Sequence, residues 1–490
     1  MQRYSGSSRD YQSSRSMKGI NGLGVGLALF YIFLVSPVMA DQAQQSGWNG
    51  AIKISNNNYV YPGAIASNSQ GTAIAVWTQD DGLPQQYGVW ISHYDKMKGW
   101  QPPQRINNYT GQADEVAVAM NEEGRAVVAW VQYSNFDYTN PSPVTTSLWI
   151  SQFNPETGWS SAKKLVDDSA NPNFPQLAIA ENGSVIATWQ QSNNDLDITN
   201  IYAAHYDSAD GWSESRLVQS DNSINATTPL IAMNGRGDAV IVYDQYHPAP
   251  DYTVDIGFNY YSSQSGWLGA AKLPESDDGN MPHAGIDERG NAVVVFGKGY
   301  PSVIYAVDYD TSQGWDKPVI LQDPNNGSEI SASNLQMAMN EDGEVFAIWK
   351  ESAYAYFGDT TFSIHTNHLL PGKGWQGQQV IGTEASNRTV YDQLLPQIGV
   401  DGGGNAIAVW AQETGPDFYA PTHVLAFRYD KVQGWDAGQA IQQTTTNANN
   451  TQVIVNENGQ AFAAWIEQDL TDFNAYTSLW ANHFSTLHEQ

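Results

Sequence analysis

Hydrophobic and polar positions along this chain follow a phrase that recurs eight times: a glycine, a small apolar residue two positions on, and a bulky aromatic six positions on. The pairs are Gly71/Trp77, Gly124/Trp130, Gly183/Trp189, Gly237/Tyr243, Gly290/Phe296, Gly343/Trp349, Gly404/Trp410 and Gly459/Trp465. Successive aromatics lie 53 to 61 residues apart. The stretch inside each pair is almost wholly apolar and often β-branched, as in Ala406-Ile407-Ala408-Val409-Trp410, which predicts a strand buried on both faces. A small apolar strand precedes it, such as Val116-Ala117-Val118-Ala119. An Asn/Asp-x-x-Gly turn joins the two, as in Asn340-Glu341-Asp342-Gly343, where glycine supplies the positive φ of a tight hairpin.

A second phrase follows. An alternating stretch such as Trp90-Ile91-Ser92-His93-Tyr94 leads into Gly-Trp, with pairs ending at Trp48, Trp100, Trp159, Trp212, Trp267, Trp315, Trp375 and Trp435. With Trp90, Trp149 and Trp480, the repeat absorbs all 17 tryptophans, so none is left over for an isolated functional role. Each unit therefore divides into four short strands, a to d, and no helical periodicity interrupts them. Four antiparallel strands recurring every fifty-odd residues describe a β-propeller blade. The ends are complementary: Gly47-Trp48 and Ile52-Lys53-Ile54 form a strand d with no a, b or c before it, and residues 477–484 form a strand c with no d after it. The expectation is an all-β fold, a single eight-bladed propeller whose last blade is closed by the N-terminal strand. A linear β-solenoid is the alternative, and it leaves the overhang unexplained.

The first forty residues break the pattern. Arg3, Arg9, Arg15 and Lys18 precede an apolar run from Leu23 to Val35 and the small-residue ending Val38-Met39-Ala40. This is the layout of a secretory signal peptide cleaved after Ala40, with a membrane anchor as the alternative. The expected organisation is a signal peptide over 1–40 and the propeller over 41–490. Without the leader, Lys plus Arg falls from 22 to 18 and Asp plus Glu from 51 to 50, a net charge of −32. Such a field repels nucleic acid and anionic lipid. Cysteine is absent, which excludes disulfides, thiolate metal sites and a cysteine nucleophile. These features fit a secreted or periplasmic bacterial protein.

The repeat, seen in Gly404 to Trp410 and in Tyr429-Asp430 before Gly434-Trp435, resembles repeats of uncharacterised exported bacterial proteins over residues 46–490. That resemblance implies a fold and almost nothing about activity. More distantly, the turns at Asp95, Asp207, Asp310 and Asp430 resemble the structural Asp boxes of sialidase-like propellers, without the serine or the spacing. A sialidase would also need an arginine cluster, and the arginines here are scattered. Quinoprotein dehydrogenases are similar in blade number and blade tryptophans, but their tryptophan stands several residues beyond the glycine, which argues against a quinone.

Few residues suggest chemistry. His93, His205, His368 and His483 share one strand-c position, occupied elsewhere by Gln152, Tyr260, Asp308 and Arg428, as expected of a strand face. The carboxylate pairs Asp80-Asp81, Asp167-Asp168, Asp277-Asp278 and Asp195 with Asp197 read as solvated loop charge. Calcium binding remains open, and no other cofactor is expected. The units differ most in the loops between strands b and c. Two residues past the strand-b aromatic stand Gln79, Gln132, Gln191, Gln245, Glu351, Gln412 and Glu467, and the loops beyond carry Tyr138, Tyr252, Tyr356, Tyr419 and Tyr476. A ring of amides and carboxylates among aromatics suits a glycan or a protein ligand, or else ties blades together. The expected function is non-catalytic binding of a carbohydrate or protein on this face. Alternatives are a polysaccharide hydrolase or lyase using loop carboxylates, and a scaffold in a cell-envelope complex.

Overall fold

Strands b have no polar side because both of their faces are covered by neighbouring blades. The computed structural model describes residues 47–56, 59–82, 86–108, 111–134, 145–193, 198–248, 250, 252–323, 330–353, 360–386, 395–413, 421–468 and 476–486. Eight small antiparallel sheets stand in a ring, each ordered a-b-c-d from the axis outward. In blade 1 these are Val60–Ser67, Ala73–Asp80, Tyr87–Asp95 and Gly99–Trp100. Eight hydrophobic clusters fill the eight junctions between blades. In blade 1, Ile74 and Val76 pack toward blade 2, while Ala75 and Trp77 pack toward blade 8. The strand-b aromatics Trp77, Trp130, Trp189, Tyr243, Phe296, Trp349, Trp410 and Trp465 are all buried.

Blade 8 closes the circle. Its strands a, b and c are Asn447–Val455, Ala461–Gln468 and Ser478–Ser485. Gly47–Trp48 and Ile52–Lys53 pair with the last of these and supply strand d, as the overhang predicts. Strand d departs from expectation in one respect. Among the described residues it runs unbroken only in blade 4 (Gly266–Lys272), whereas in the other blades it is two ladders separated by a break, as at Gly99–Trp100 and Gln104–Arg105, the second reaching eight residues in blade 6 (Gln379–Ser386).

The a–b and c–d turns emerge on one face, here the turn face, and the b–c loops and d–a links on the other, the loop face. At the turn face the glycines of all eight a–b turns have φ between 75° and 89°, where any side chain would be strained. The first residue of the turn does two jobs. Asn121 accepts the Arg125 N–H through Oδ1 (3.0 Å) and donates Nδ2–H to the Ala180 carbonyl of the next blade (3.1 Å). Asn234, Asn340 and Asn456 repeat this bond to Asp287 (2.9 Å), Asp401 (3.1 Å) and, across the closure, Asn68 (2.7 Å). An aspartate can perform only the first task. Where Asp287 replaces the asparagine, Arg289 reaches the next blade instead, donating to the Asp342 carbonyl at 2.8 Å.

The second turn residue is glutamate in five blades: Glu122, Glu181, Glu288, Glu341 and Glu457. Because strands a surround the axis, these carboxylates crowd one mouth of the channel. Burial, reinforced by Glu341 and Glu122, pushes the Glu457 carboxyl up to about 7. Burial and neighbouring carboxylates also raise Glu181 and Glu341. A carboxyl with a raised folded-state pKa binds more protons folded than unfolded. Its contribution is therefore fully present below the ordinary glutamate value near 4.3 and is lost as pH rises through about 7. Glu457→Gln is expected to raise the melting temperature at pH 8 by about 1–3 °C and leave it nearly unchanged at pH 4.5. Equal shifts at both pH values would show that Glu457 is not strained by its neighbours.

Candidate functional site

The ring of amides and carboxylates two residues past the strand-b aromatic exists, and most of its members are bound to that aromatic. The indole N–H of Trp77 donates to Gln79 Oε1 (3.2 Å), Trp189 to Gln191 (3.1 Å), Trp349 to Glu351 (3.0 Å), Trp410 to Gln412 (3.1 Å) and Trp465 to Glu467 (2.8 Å). A buried indole requires an acceptor, and the repeat places one two residues further along the same face of the strand. Gln132 instead donates to the Gln112 carbonyl at 2.9 Å, and Gln245 follows a tyrosine and is half-buried. Glu467 Oε2 accepts hydrogen bonds from Thr444 and Thr446 as well. The buried carboxylate of Glu351 accepts from Trp349, Gln322 (2.9 Å) and Gln378 (2.8 Å), with His365 Nε2 at 3.2 Å.

The histidines shared by strand c lie at blade junctions. His93 Nε2 accepts from Trp159 of blade 2 (3.2 Å), His368 stacks on Phe346 at 3.9 Å, and His483 Nδ1 meets the Tyr94 hydroxyl of blade 1 at 3.0 Å. Burial lowers His93, His205 and His368, and takes His483 down to about 4. The Asp95, Asp207, Asp310 and Asp430 carboxylates cap their own c–d turns, as where Asp310 Oδ1 accepts the Ser312 N–H at 2.8 Å. Asp81 pairs with Arg105 (3.0 Å), Asp168 with Lys164 (2.7 Å), and Asp277 with Lys272. Asp195 and Asp197 lie outside the described residues. Among the described residues no group of three or more His, Asp or Glu side chains is arranged to hold a metal ion.

The loop face carries a feature the sequence pattern hides. Among the described residues strand a bulges near its start in seven blades, and in six of them one bulge residue is left-handed: Glu115, Phe174, Thr228, Met281, Asn334 and Asn450, with φ from 50° to 54°. Asn171, Tyr252, Glu275 and Asp278 bring the non-glycine residues at positive φ among the described residues to ten, all on this face. At the turn face glycine takes every such position. Each left-handed side chain costs roughly 1–2 kcal/mol, and more for β-branched Thr228, so the loop face stores strain that the turn face avoids. The bulges sit on the innermost strands and circle the channel mouth, and Phe174, Thr228, Met281 and Asn450 are exposed. The geometry repeats while the residue changes from blade to blade.

Exposed aromatics follow the same division. Among the described residues they are Tyr59, Tyr61, Phe174, Tyr246, Tyr252 (79% exposed), Tyr300 (99%) and Tyr476, all on the loop face. Tyr59 meets Tyr476 of blade 8 edge-on at 5.1 Å across the junction of blades 8 and 1, and Tyr61 meets Tyr87 within blade 1 at 5.2 Å. Tyr252 and Tyr476 are thus placed where the sequence puts them, while Tyr138, Tyr356 and Tyr419 lie outside the described residues.

Two polar groups here escape the sequence reading. His247 Nε2 stands 2.7 Å from Asp255 Oδ2, and Lys272 Nζ is 2.9 Å from Asp255 Oδ1, in the loop that bears Tyr246 and Tyr252. Asp244, one residue past Tyr243, is 5% exposed, and burial pushes its carboxyl up to about 6. Its Oδ2 accepts the Thr228 hydroxyl at 2.8 Å, and this bond together with the nearby Met281 backbone N–H partly offsets the rise.

No family model matches this chain, and no curated protein matches it. Solved structures similar to it include the polysaccharide lyase Uly1 (9% identity, TM-score 0.49, covering 89% of this chain and 99% of that one). Another is an ulvan lyase of a polysaccharide lyase family (10%, 0.44, covering 82% and 96%). A third is the NanB sialidase of Streptococcus pneumoniae (12%, 0.35, covering 90% and 70%). Among the described residues no helix is long and apolar enough to cross a membrane.

Proposed function

We propose that this propeller is an exported, non-catalytic protein that binds a carbohydrate on its loop face. The observation that carries the reading is the confinement of all seven exposed aromatics, among the described residues, to that face. Aromatic rings pack against the apolar C–H faces of sugars, and the polar groups between them supply hydrogen bonds. The strained bulges support it. Strained backbone clusters where ligands are gripped, and a fixed geometry carrying varied side chains suits recognition more than packing. Export rests on the basic and apolar leader of residues 1–40. A second reading, catalysis on a polysaccharide, is favoured by Asp244, whose carboxyl near 6 falls in the range useful to a general acid or base.

An array of immobilised poly- and oligosaccharides tests the reading, with mass spectrometry of the supernatant to detect cleavage. Binding without product release is expected. Replacing Tyr61 and Tyr476 by alanine should weaken binding about tenfold, while replacing the exposed turn-face residues Met97 and Val432 by serine should not change it. Released oligosaccharides would replace this function with the catalytic one. Loss of binding in the turn-face variant would place the site on the wrong face.

A further inference from the structure

The strand-c position shared by the histidines faces the next blade, where it meets the residue one step further along that blade's strand c. In six of the eight junctions this sets a ring or a guanidinium against an aromatic. His93 meets Phe153 at 4.6 Å, His205 meets Tyr261 at 5.3 Å and Tyr260 meets Tyr309 at 5.4 Å. His368 meets Tyr429 at 5.4 Å, Arg428 lies over Phe484 at 5.8 Å, and His483 meets Tyr94 at 4.9 Å. Asp308 and Leu369 stand at these positions in blades 5 and 6. The junction of blades 2 and 3 also presents an aromatic, Tyr206, but opposite it stands Gln152, which has neither ring nor charge.

A cavity of about 380 Å³ opens at that junction on the turn face, lined by Gln152, Tyr206 and the blade-3 turn glycine Gly183. Strand register fixes the direction of both side chains. Gln152 pairs with Val127 and Tyr206 with Val185, and both valines belong to the cluster that fills this junction. Residues directly opposite in an antiparallel pair share a face, so Gln152 points toward blade 3 and Tyr206 toward blade 2. A cavity of the same volume recurs between blades 7 and 8, where unbranched Arg428 holds the position of Gln152, but there the guanidinium already covers Phe484. An apolar cavity of roughly 150 Å³ is enough to take benzene, so the space beside Tyr206 has room for one ring.

Blade 4 shows which ring such a slot takes. Tyr260, at the position of Gln152, packs against Tyr309 and donates its hydroxyl to the carbonyl of Gly290, the turn glycine of blade 5, at 2.9 Å. The junction of blades 2 and 3 keeps both partners, with Tyr206 for Tyr309 and Gly183 for Gly290. The two glycines share a backbone conformation, with φ of 83° and 89°. Arg125 also lines the cavity, and its charge disfavours an imidazolium or a guanidinium there. We propose that this groove binds a neutral phenol ring supplied from outside the chain. The ring packs against Tyr206, and its hydroxyl donates to the Gly183 carbonyl as Tyr260 does to Gly290. The site lies on the face opposite the aromatic loops and does not depend on the carbohydrate reading.

Ligand-observed NMR titration of the whole chain with p-cresol, the tyrosine side-chain analogue, tests the assignment. Saturable binding in the millimolar range is expected, with toluene bound about fivefold more weakly because it lacks the hydroxyl. Gln152→Tyr, which supplies from within the ring that blade 4 carries, should weaken p-cresol binding about tenfold and raise the melting temperature by about 1–3 °C. Tyr206→Leu, which keeps an apolar wall without the ring, should weaken binding about fivefold, and it decides the matter should Gln152→Tyr fail to fold. N-acetyl-tyrosinamide bound as tightly as p-cresol would identify the tyrosine of a partner chain as the source of the ring, and its exclusion would identify a free phenol. Equal p-cresol affinity in the parent and both variants, or no saturable binding by the parent, would overturn the site. Toluene bound as tightly as p-cresol would overturn the hydroxyl contact and with it the choice of a phenol.

Discussion

A chain beginning at Asn56 is expected to lose its closed ring and to associate or unfold, because among the described residues 47–55 are the only strand d that blade 8 has. Gly47–Trp48 and Ile52–Lys53 pair with the strand Ser478–Ser485. Ile54 is buried in the cluster joining blades 8 and 1, and Trp48 packs edge-on against Phe484 at 5.6 Å. Burial of those two side chains is worth roughly 3–6 kcal/mol, before the ladder is counted. Further bonds go with them: Asn49 donates to Ser485 Oγ at 2.9 Å, and the Ile54 N–H bonds the Leu479 carbonyl at 2.9 Å. Removal also bares the strand-c backbone of blade 8, an edge free to pair with another chain. The expected result is a melting temperature lower by about 10 °C or more, or soluble oligomers by light scattering. A synthetic peptide spanning residues 46–55 should restore part of the loss. A truncated monomer that melts like the parent would show that the ring is held without its first strand.

The blades were legible because eight copies report on the same geometry. One Asn340-Glu341-Asp342-Gly343 is a turn among many, but eight glycines at one position require a backbone that only glycine adopts cheaply, and all eight have positive φ. The same logic misleads on the loop face. Gln79, Gln191, Gln412 and their equivalents recur, and recurrence says that they share a geometry without saying what they touch; the geometry is an indole two residues away. The bulges were invisible for the opposite reason. Glu115, Phe174, Thr228 and Met281 have no residue type in common and none favours the left-handed region. Only the prolines that follow three of them, Pro175, Pro229 and Pro282, hint at a shared backbone. Asp244 hides likewise, since its position carries a different residue in every blade. The inter-blade bonds of Asn121 and Asn456 could not be read either, because a turn that needs only an Oδ1 acceptor looks the same with aspartate.

Glu351 decides between the two roles open to the ring past the strand-b aromatics. Its carboxylate is 3% exposed and gathers three donors, Trp349, Gln322 and Gln378, on Oε1, with His365 beside Oε2. His365 in turn contacts the Ser363 hydroxyl at 2.7 Å and the amide of Gln378, and burial lowers its pKa. Removing the carboxylate strands those donors in a dry interior, where each unmet group costs about 1–3 kcal/mol and partners of a buried charge more. Glu351→Ala should therefore lose about 3–5 kcal/mol of unfolding free energy in urea titrations. Glu351→Gln keeps an acceptor for the Trp349 indole, as Gln79, Gln191 and Gln412 do in their own blades, and should lose about 1 kcal/mol. Binding per folded molecule should be the same in both variants, because a side chain this deep orders the blade without reaching the ligand. The opposite pattern, parental stability in Glu351→Ala with weakened glycan binding, would return the ring to the binding surface and move the site from the bulges to the strand ends behind them.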